Sequence, residues 1–174
     1  MRNTVFLYGV PGVGKTYLSQ KIKKQYNYSV VEADTIRQSA QNGKDRAKDP
    51  FFFLGTTEAY KQFGEPTKQN AMKGLMAVRK VMHPYIIRHL QNQTTDLIIE
   101  GAFITPSLCR AYGPLYLVIN QNAKIYEMRF FEHRERNQEM LISFQNAVTI
   151  QNYLIEEAYG LSIPLVTSND NLVL

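Results

Sequence analysis

The sequence predicts an α/β fold in which helices cover both faces of a five-stranded parallel sheet. Five short runs of β-branched and aliphatic residues are separated by longer segments with helical periodicity. Most of these runs lack alternating polar residues, as is typical of strands that are buried on both faces. Alternation of strand and helix favours a parallel sheet, and no linker interrupts it, so we expect a single domain over residues 1–174.

The predicted elements follow one another along the chain in a regular order. The strands are expected at residues 4–9, 29–34, 96–101, 115–120 and 163–168. Apolar residues from Met72 to Leu90 recur at helical spacing, and Pro84 is expected to kink this helix near His83. Two further helices are predicted at residues 123–134 and 147–159. The segment of about 38–95 is longer than a simple strand–helix–strand connection requires, which predicts an inserted helical lobe.

Composition and charge restrict the class of protein. The hydrophobic fraction of 44% is that of an ordinary globular protein, and no apolar run reaches the roughly 18 residues of a membrane span. The single cysteine, Cys109, excludes an internal disulfide framework and a thiolate zinc site. We therefore expect a cytosolic protein without a signal peptide. The net charge of +5 suits a small anionic partner, since no basic tract of a nucleic-acid binder is present.

A glycine-rich loop between the first strand and a helix carries the strongest motif. The sequence GVPGVGKT fits G-x-x-x-x-G-K-[ST] and predicts a loop whose backbone N–H groups surround the phosphates of a nucleoside triphosphate. Lys15 is expected to reach the β- and γ-phosphates, and Thr16 to ligate Mg²⁺. The predicted nucleotide-binding residues of this segment are Gly9, Val10, Pro11, Gly12, Val13, Gly14, Lys15, Thr16 and Tyr17.

Two acidic residues are expected beside this loop, at the carboxyl ends of neighbouring strands. Asp34 ends the second strand and is predicted to accept the proton of an acceptor hydroxyl, although an N-cap role is the alternative. Arg37 follows one turn later and is a candidate ligand of an anionic substrate. Glu100, with Gly101 behind it, ends the apolar run LIIEG and is predicted to hold Mg²⁺ or to orient the substrate.

Further candidates lie later in the chain. The segment MRFFEHRERN follows the fourth strand, and Arg134 and Arg136 are predicted to neutralise the transferring phosphate. Arg129 is expected on the helix surface instead. Arg79, on the long helix, is a candidate substrate ligand. The residues after the last strand are predicted to hold the adenine through backbone contacts, and they are Ser168, Asn169 and Asp170.

Together these motifs resemble the nucleoside monophosphate kinase-like group of P-loop kinases, and within it archaeal 2-phosphoglycerate kinase-like proteins. The resemblance is carried by GVPGVGKT, ADTIR, TKQNAMKGLMAVRKVMHPYI, LIIEGAFITP, YLVINQNAKIYEMRFFEHRERN, IQNYLIEEA and IPLVTSND. It implies a three-layer P-loop NTPase sandwich with strand order 2-3-1-4-5 and Mg²⁺–ATP as the phosphate donor. It also implies an acceptor-side insertion at about 38–95 and a lid at about 129–145.

Three functions remain open at this point. The leading one is an ATP-dependent kinase of a small anionic metabolite, for which 2-phosphoglycerate is a hypothesis drawn from the resemblance. The chain has FFFLGTTEAYKQFGEP where those relatives are expected to have a serine-rich stretch, so the acceptor side departs from the pattern. The alternatives are a nucleotide or polynucleotide kinase, and a nucleotide-binding regulator or slow ATPase. A GTPase is disfavoured by the missing N-K-x-D motif, and an AAA-type ATPase by the short chain.

Overall fold

The fold is built around a parallel sheet of five strands in the order β2-β3-β1-β4-β5, as expected. The structure, a computed structural model, describes residues 3–174. Strand β1 lies at the centre of the sheet, and Leu7 is opposite Glu100 of β3. Strands β1 and β3 are almost entirely buried, whereas β2 is an edge strand that is partly exposed. The strands span Thr4–Tyr8 (β1), Ser29–Glu32 (β2), Leu97–Gly101 (β3), Leu115–Val118 (β4) and Leu165–Val166 (β5).

Helices alternate with these strands, with the expected order and some different boundaries. The helix predicted to begin at residue 147 begins at Gln138, because Asn137 caps it by accepting a hydrogen bond from the Met140 N–H group. The long helix continues through Pro84. The helices span Lys15–Tyr26 (α1), Ala33–Ala40 (α2), Lys68–Gln91 (α3), Pro106–Cys109 (α4), Ala123–Phe131 (α5) and Gln138–Gly160 (α6). None of the helices in the described part of the chain is both long and apolar enough to cross a membrane.

The segment between α2 and α3 packs against the long helix and reaches the carboxyl edge of the sheet. It contains two 3₁₀ turns, Pro50–Phe52 and Ala59–Gln62. Gly74 of α3 permits this contact, because a Cβ atom there would lie 2.7 Å from the Tyr60 nitrogen. Ala59 and Tyr60 are consequently buried, and the residues just before them are held beside the phosphate-binding loop.

Candidate functional site

The glycine-rich loop is closely packed, and Gly12 and Gly14 are two of the positions at which its conformation requires glycine. Gly12 has a φ of +84°, and a Cβ atom there would lie 3.0 Å from the Phe130 Cα atom. Gly14 is the N-cap of α1 with a φ of +97°, and its Cβ would lie 2.6 Å from the Ser168 Cβ atom. Such positive φ values are unfavourable for other residues. The loop is therefore fixed between α5 and the segment that follows β5.

Lys15 lies at the first turn of α1 and turns back onto the loop. Its Nζ donates a hydrogen bond to the Val10 carbonyl oxygen at 3.0 Å. Burial lowers the pKa of this amine, and the nearby carboxylates of Glu100 and Asp34 partly offset the effect. A phosphate placed beside Lys15 would stabilise its charged form in the same way. The amine is thus positioned where the motif predicts a phosphate ligand.

Glu100 is buried at the end of β3 and is held by two hydroxyl groups of α1. Its carboxylate accepts hydrogen bonds from Ser19 Oγ at 2.8 Å and from Thr16 Oγ1 at 3.1 Å. Burial raises the pKa of Glu100, and these hydroxyls and Lys15 act in the opposite direction. The sequence reasoning missed Ser19. Its spacing of three residues from Thr16 places both side chains on one helix face, and this spacing could have identified it.

The oxygen atoms of Thr16 and Glu100 fit a magnesium ion. Mg²⁺ prefers oxygen ligands and is commonly held by one or two protein groups together with substrate phosphates and water. Within residues 3–174 no group of three or more His, Cys, Asp or Glu side chains could hold a metal. A magnesium ion at this position would therefore take most of its ligands from the nucleotide and from water, as in other phosphate-binding loops.

A cavity of about 380 Å³ extends from the loop to the inserted segment. It brings together Lys15, Asp34 and Glu100, which the sequence separates widely. Its walls come from the glycine-rich loop, the ends of β2 and β3, the insertion, α5 and α6. The predicted site residues that line it are Pro11, Gly12, Lys15, Thr16, Asp34, Arg37, Glu100, Gly101 and Arg134. Gly101 allows β3 to approach α2, because its Cβ would lie 2.4 Å from the Ala33 Cβ atom.

Asp34 lies in the first turn of α2 and not at the end of a strand. Strand β2 ends at Glu32, which is the N-cap of α2, so the alternative assignment of Asp34 as the cap is wrong. The Asp34 carboxylate forms a salt bridge of 2.8 Å with Arg37, and its side chain is 56% exposed. Arg37 also donates to the Leu54 carbonyl oxygen at 3.0 Å and lies over the Phe103 ring. Its guanidinium is therefore already held by the protein.

The three arginines that follow β4 occupy different surroundings. Arg134 lines the cavity and stacks over the Phe130 ring at 4.5 Å. Arg136 instead pairs with Glu127 at 2.9 Å on the exposed surface, and the structure does not bring it to the cavity. Arg129, expected on the helix surface, donates to Ser168 Oγ at 2.9 Å and lies beside the glycine-rich loop. Of these two, Arg129 and not Arg136 thus lies beside the glycine-rich loop.

A second hollow of about 320 Å³ opens on the other side of the loop. It is lined by Gly12, Gly14, Lys15, Thr16, Tyr17, Arg129 and Glu132. The segment predicted to hold adenine adjoins this hollow without forming its wall. Ser168 is buried under Gly14, and the carbonyl oxygens of Asn169 and Asp170 each accept a hydrogen bond of 3.1 Å from Lys21 Nζ. Gly9, Val10 and Val13 are buried and contribute the backbone of the loop.

Arg79 lies away from the cavity, in the interface between α3 and α6. Its guanidinium donates two hydrogen bonds to the Glu157 carboxylate, at 2.8 and 2.9 Å, and its side chain is 3% exposed. A buried charge is stable only with such a partner. Arg79 therefore connects two helices, and no contact directs it toward a substrate.

The sequence reasoning missed the polar residues of the insertion that line the cavity. Thr57 shares a hydrogen bond of 2.8 Å with Ser143 of α6, and its carbonyl oxygen accepts one of 3.2 Å from Asn146. Thr56 and Glu58 line the same wall. Within the part of the chain that the structure describes, the buried hydroxyl of Thr56 has no hydrogen-bond partner. No motif marks these residues, since only the folding of the insertion onto α3 brings them here.

Solved structures with a similar fold include kinases of different acceptors. Shikimate kinase from Bacteroides thetaiotaomicron superposes with a TM-score of 0.55 at 12% identity, over 97% of this chain and 90% of that one. Deoxyadenosine kinase from M. mycoides superposes with a TM-score of 0.52 at 13% identity, over 97% of this chain and 92% of that one. A gluconokinase from Sinorhizobium meliloti 1021 superposes with a TM-score of 0.50 at 12% identity, over 98% of this chain and 86% of that one. At these identities the similarity shows that the chain shares the fold of these proteins.

Comparison with family models gives a more specific result. A comparison with curated proteins found no match. One family model, described as an AAA domain, matches residues 8–107. The sequence reasoning disfavoured AAA-type ATPases because the chain is short. The matching family is nevertheless described as an AAA domain. The solved structures of similar fold, by contrast, are kinases. The matched segment contains the glycine-rich loop, Asp34 and Glu100, and covers more than half of the sequence. The chain belongs to this AAA domain family.

Proposed function

We propose that the protein is a phosphotransferase that moves the γ-phosphate of Mg²⁺–ATP to a hydroxyl group of a small acceptor. The observation that carries the proposal is the shared cavity. Its walls contain both the phosphate-binding residues Lys15 and Thr16 and the inserted segment around Thr57. A protein that only binds nucleotide has no need of a second compartment open to the γ-phosphate position. The arrangement suits two substrates held side by side in one cavity.

Each charged group has a role in this proposal. Lys15 binds the β- and γ-phosphate oxygens, and the loop N–H groups orient them. Thr16 and Glu100 hold the magnesium ion, which neutralises charge on the phosphates when it is bound. Asp34 accepts the proton of the acceptor hydroxyl, and Arg134 neutralises charge on the transferring group. The nucleotide is held along the side of the loop that carries Tyr17 and Arg129, next to Ser168, Asn169 and Asp170.

We extend the proposal to the organisation of the chain. Residues 1–174 form one kinase domain, residues of about 38–95 form the acceptor side, and residues of about 129–145 form a lid. The position of Arg134 over the cavity supports the lid, since this segment connects α5 to α6. The contacts of Thr57 with Ser143 and Asn146 support a functional link between the insertion and α6.

The acceptor cannot be carried over from the proteins of similar fold, whose names give shikimate, gluconate and deoxyadenosine. A 2-phosphoglycerate acceptor rested on the sequence resemblance, and Arg37 and Arg79 were separate candidate ligands of an anionic substrate. Both arginines are bound by carboxylates of the protein, Asp34 and Glu157. We therefore leave 2-phosphoglycerate out of the proposed function and define the acceptor only as a small molecule with a free hydroxyl.

Calorimetry and a coupled assay of ADP release test this proposal on the purified protein. Mg²⁺–ATP should bind, and Lys15→Ala should cut ADP release by on the order of a hundredfold, because a preorganised cation on the transferring phosphate is lost. Lys24→Ala changes an exposed lysine of the same helix and should leave the rate unchanged. Absence of Mg²⁺–ATP binding, or an unchanged rate in Lys15→Ala, would contradict the proposal.

A further inference from the structure

The charged residues that line the cavity come from two groups of structural elements. Among the described residues they comprise four carboxylates and three cationic side chains. Lys15, Glu100 and Arg134 lie at the phosphate end, beside the glycine-rich loop and α5. The other four come from β2, α2 and the insertion, the side named here the acceptor end, and Glu32 adjoins the phosphate end because it is paired in register with Glu100. These are Glu32 and Asp34 from the β2–α2 junction, Arg37 from α2 and Glu58 from the insertion.

The one cation at the acceptor end is already neutralised. Arg37 forms its salt bridge with Asp34 at 2.8 Å and donates a second hydrogen bond to the Leu54 carbonyl oxygen. Glu32 and Glu58 also line the cavity, with Lys15 within electrostatic range of Glu32 and Lys61 within range of Glu58. Lys15 and Arg134 are assigned to the nucleotide phosphates in the proposed transfer, so among the described lining residues an acceptor phosphate or carboxylate would find only Arg37, which is already ion-paired, while Glu32 and Glu58 would repel it.

The carboxylates at this end are suited to hydroxyl and ammonium groups instead. Glu32 and Glu58 both line the cavity. A carboxylate accepts hydrogen bonds, and hydroxyl and ammonium groups donate them, so either group can pair with Glu32 and with Glu58.

From this division of charge we infer that the acceptor is an uncharged or amine-bearing polyhydroxyl compound without phosphate or carboxylate groups. The inference rests on the proposed transfer from Mg²⁺–ATP. The volume of about 380 Å³ is near the lower end of the roughly 300–1,000 Å³ of small-molecule sites, and the γ-phosphate takes part of it. The acceptor is consequently small, of the size of a polyol, a sugar or a nucleoside.

The reaction that follows is balanced. The acceptor hydroxyl oxygen forms a bond with the γ-phosphorus, and the bond between that phosphorus and the β,γ-bridging oxygen breaks. The bridging oxygen keeps the electron pair, and ADP leaves with it. The hydroxyl proton passes to Asp34 and then to solvent. The products are ADP, a phosphate monoester of the acceptor and one proton.

Matched sets of compounds that differ in charge test the inference. ADP release and the mass of the product are measured with Mg²⁺–ATP and each compound at equal concentration. One set is glucose, glucosamine, gluconate and glucose 6-phosphate, another is glycerol, glycerate and 2-phosphoglycerate, and a third is cytidine and CMP. We expect uncharged or amine-bearing members to be phosphorylated in preference to the anionic members of the same set. A preference for the anionic members would overturn the inference.

Variants of Glu58 separate a charge effect from a structural one. With the accepted compound and its anionic counterpart, Glu58→Gln should reduce the ratio of the two kcat/KM values by about fivefold, because one repulsive charge is removed. Glu58→Asp keeps the charge and should retain the preference. Glu65→Gln changes an exposed glutamate of the same segment outside the cavity and should have no effect. An unchanged ratio in Glu58→Gln would contradict the assignment of this carboxylate.

Calorimetry distinguishes failure of this inference from failure of the proposed function. If Mg²⁺–ATP does not bind, the phosphotransferase proposal itself fails. If Mg²⁺–ATP binds and Lys15→Ala abolishes the binding, but no uncharged or amine-bearing compound is phosphorylated, the nucleotide site stands and the acceptor class inferred here is wrong.

Discussion

The carboxylate of Glu100 accepts a hydrogen bond of 2.8 Å from the hydroxyl of Ser19, in the buried layer between β3 and α1. The same carboxylate accepts a second bond from Thr16 at 3.1 Å. Burial raises its pKa, so the charged form is held in the fold at an energetic cost. A group that is kept at such a cost is a candidate for function, here the binding of magnesium.

Glu100→Gln should therefore separate stability from activity. The amide keeps the size and can still hydrogen-bond both hydroxyls, but it removes a buried charge. We expect a higher melting temperature for the nucleotide-free protein and a loss of Mg²⁺-dependent ADP release of roughly a hundredfold. Ser19→Ala is the matched variant, since it leaves the charge and removes one of its hydrogen bonds, and it should lower the melting temperature. A destabilised Glu100→Gln protein would contradict this account of the buried charge.

The raised pKa of Glu100 also has a pH dependence of definite sign. Above the ordinary value of 4.5, the folded protein retains the Glu100 proton more than the unfolded chain does. The free energy of unfolding should therefore fall as pH rises through this interval. Burial lowers the pKa of His83 and His89, so below pH 6.5 the unfolded chain binds more protons at these two residues than the folded protein does. Their contribution to the free energy of unfolding therefore rises with pH. Denaturant titrations of the wild-type protein and of Glu100→Gln isolate the contribution of Glu100. The difference between their free energies of unfolding should grow from pH 4.5 upward.

Asp34→Asn tests the assignment of the proton acceptor. The amide cannot take up the proton at neutral pH, so kcat should fall by roughly a hundredfold while the affinity for Mg²⁺–ATP is retained. The salt bridge with Arg37 is partly exposed, and its loss should cost less than about 1 kcal/mol of stability. Glu32→Gln changes the neighbouring carboxylate in the same cavity. If the loss of kcat appears in Glu32→Gln and not in Asp34→Asn, the proton acceptor is Glu32.

Arg129 and Arg136 offer a direct comparison of two arginines from the same region. Arg129 lies beside the loop and hydrogen-bonds Ser168, so Arg129→Ala should weaken Mg²⁺–ATP binding by roughly tenfold, measured by calorimetry. Arg136 pairs with Glu127 on the exposed surface, and Arg136→Ala should leave the affinity nearly unchanged. The reverse result would restore the sequence-based assignment, in which Arg136 enters the site and Arg129 does not.

The parts of the site that follow from local sequence were predictable. The glycine-rich loop has a fixed spacing, and Glu100 ends an apolar strand at a point where the parallel order places it beside that loop. The strand order itself came from the resemblance and is confirmed. Asp34 was placed near the loop correctly, but its helix begins at Ala33, because edge strand β2 ends at Glu32.

The acceptor side was not predictable because it depends on contacts between distant segments. Thr57 meets Ser143 only because the insertion packs on α3 and α6 returns over it. Arg79 has the periodicity of a core position, yet its partner Glu157 lies on another helix and leaves no mark in the local sequence. The arginines after β4 depend on where α5 ends, at Phe131, and the apolar pattern did not fix that boundary.

The acidic acceptor end lies within a chain whose net charge is +5. Farther than a screening length of about 8–10 Å, an approaching molecule responds to the whole protein and not to Glu32 or Glu58. The anionic nucleotide is therefore drawn in, and its association slows as salt is added. An amine-bearing acceptor is repelled at long range and attracted only inside the cavity. Added salt therefore raises its association rate and weakens its binding to the carboxylates of the cavity. The association rates of the nucleotide and of an amine-bearing acceptor thus respond to ionic strength in opposite directions.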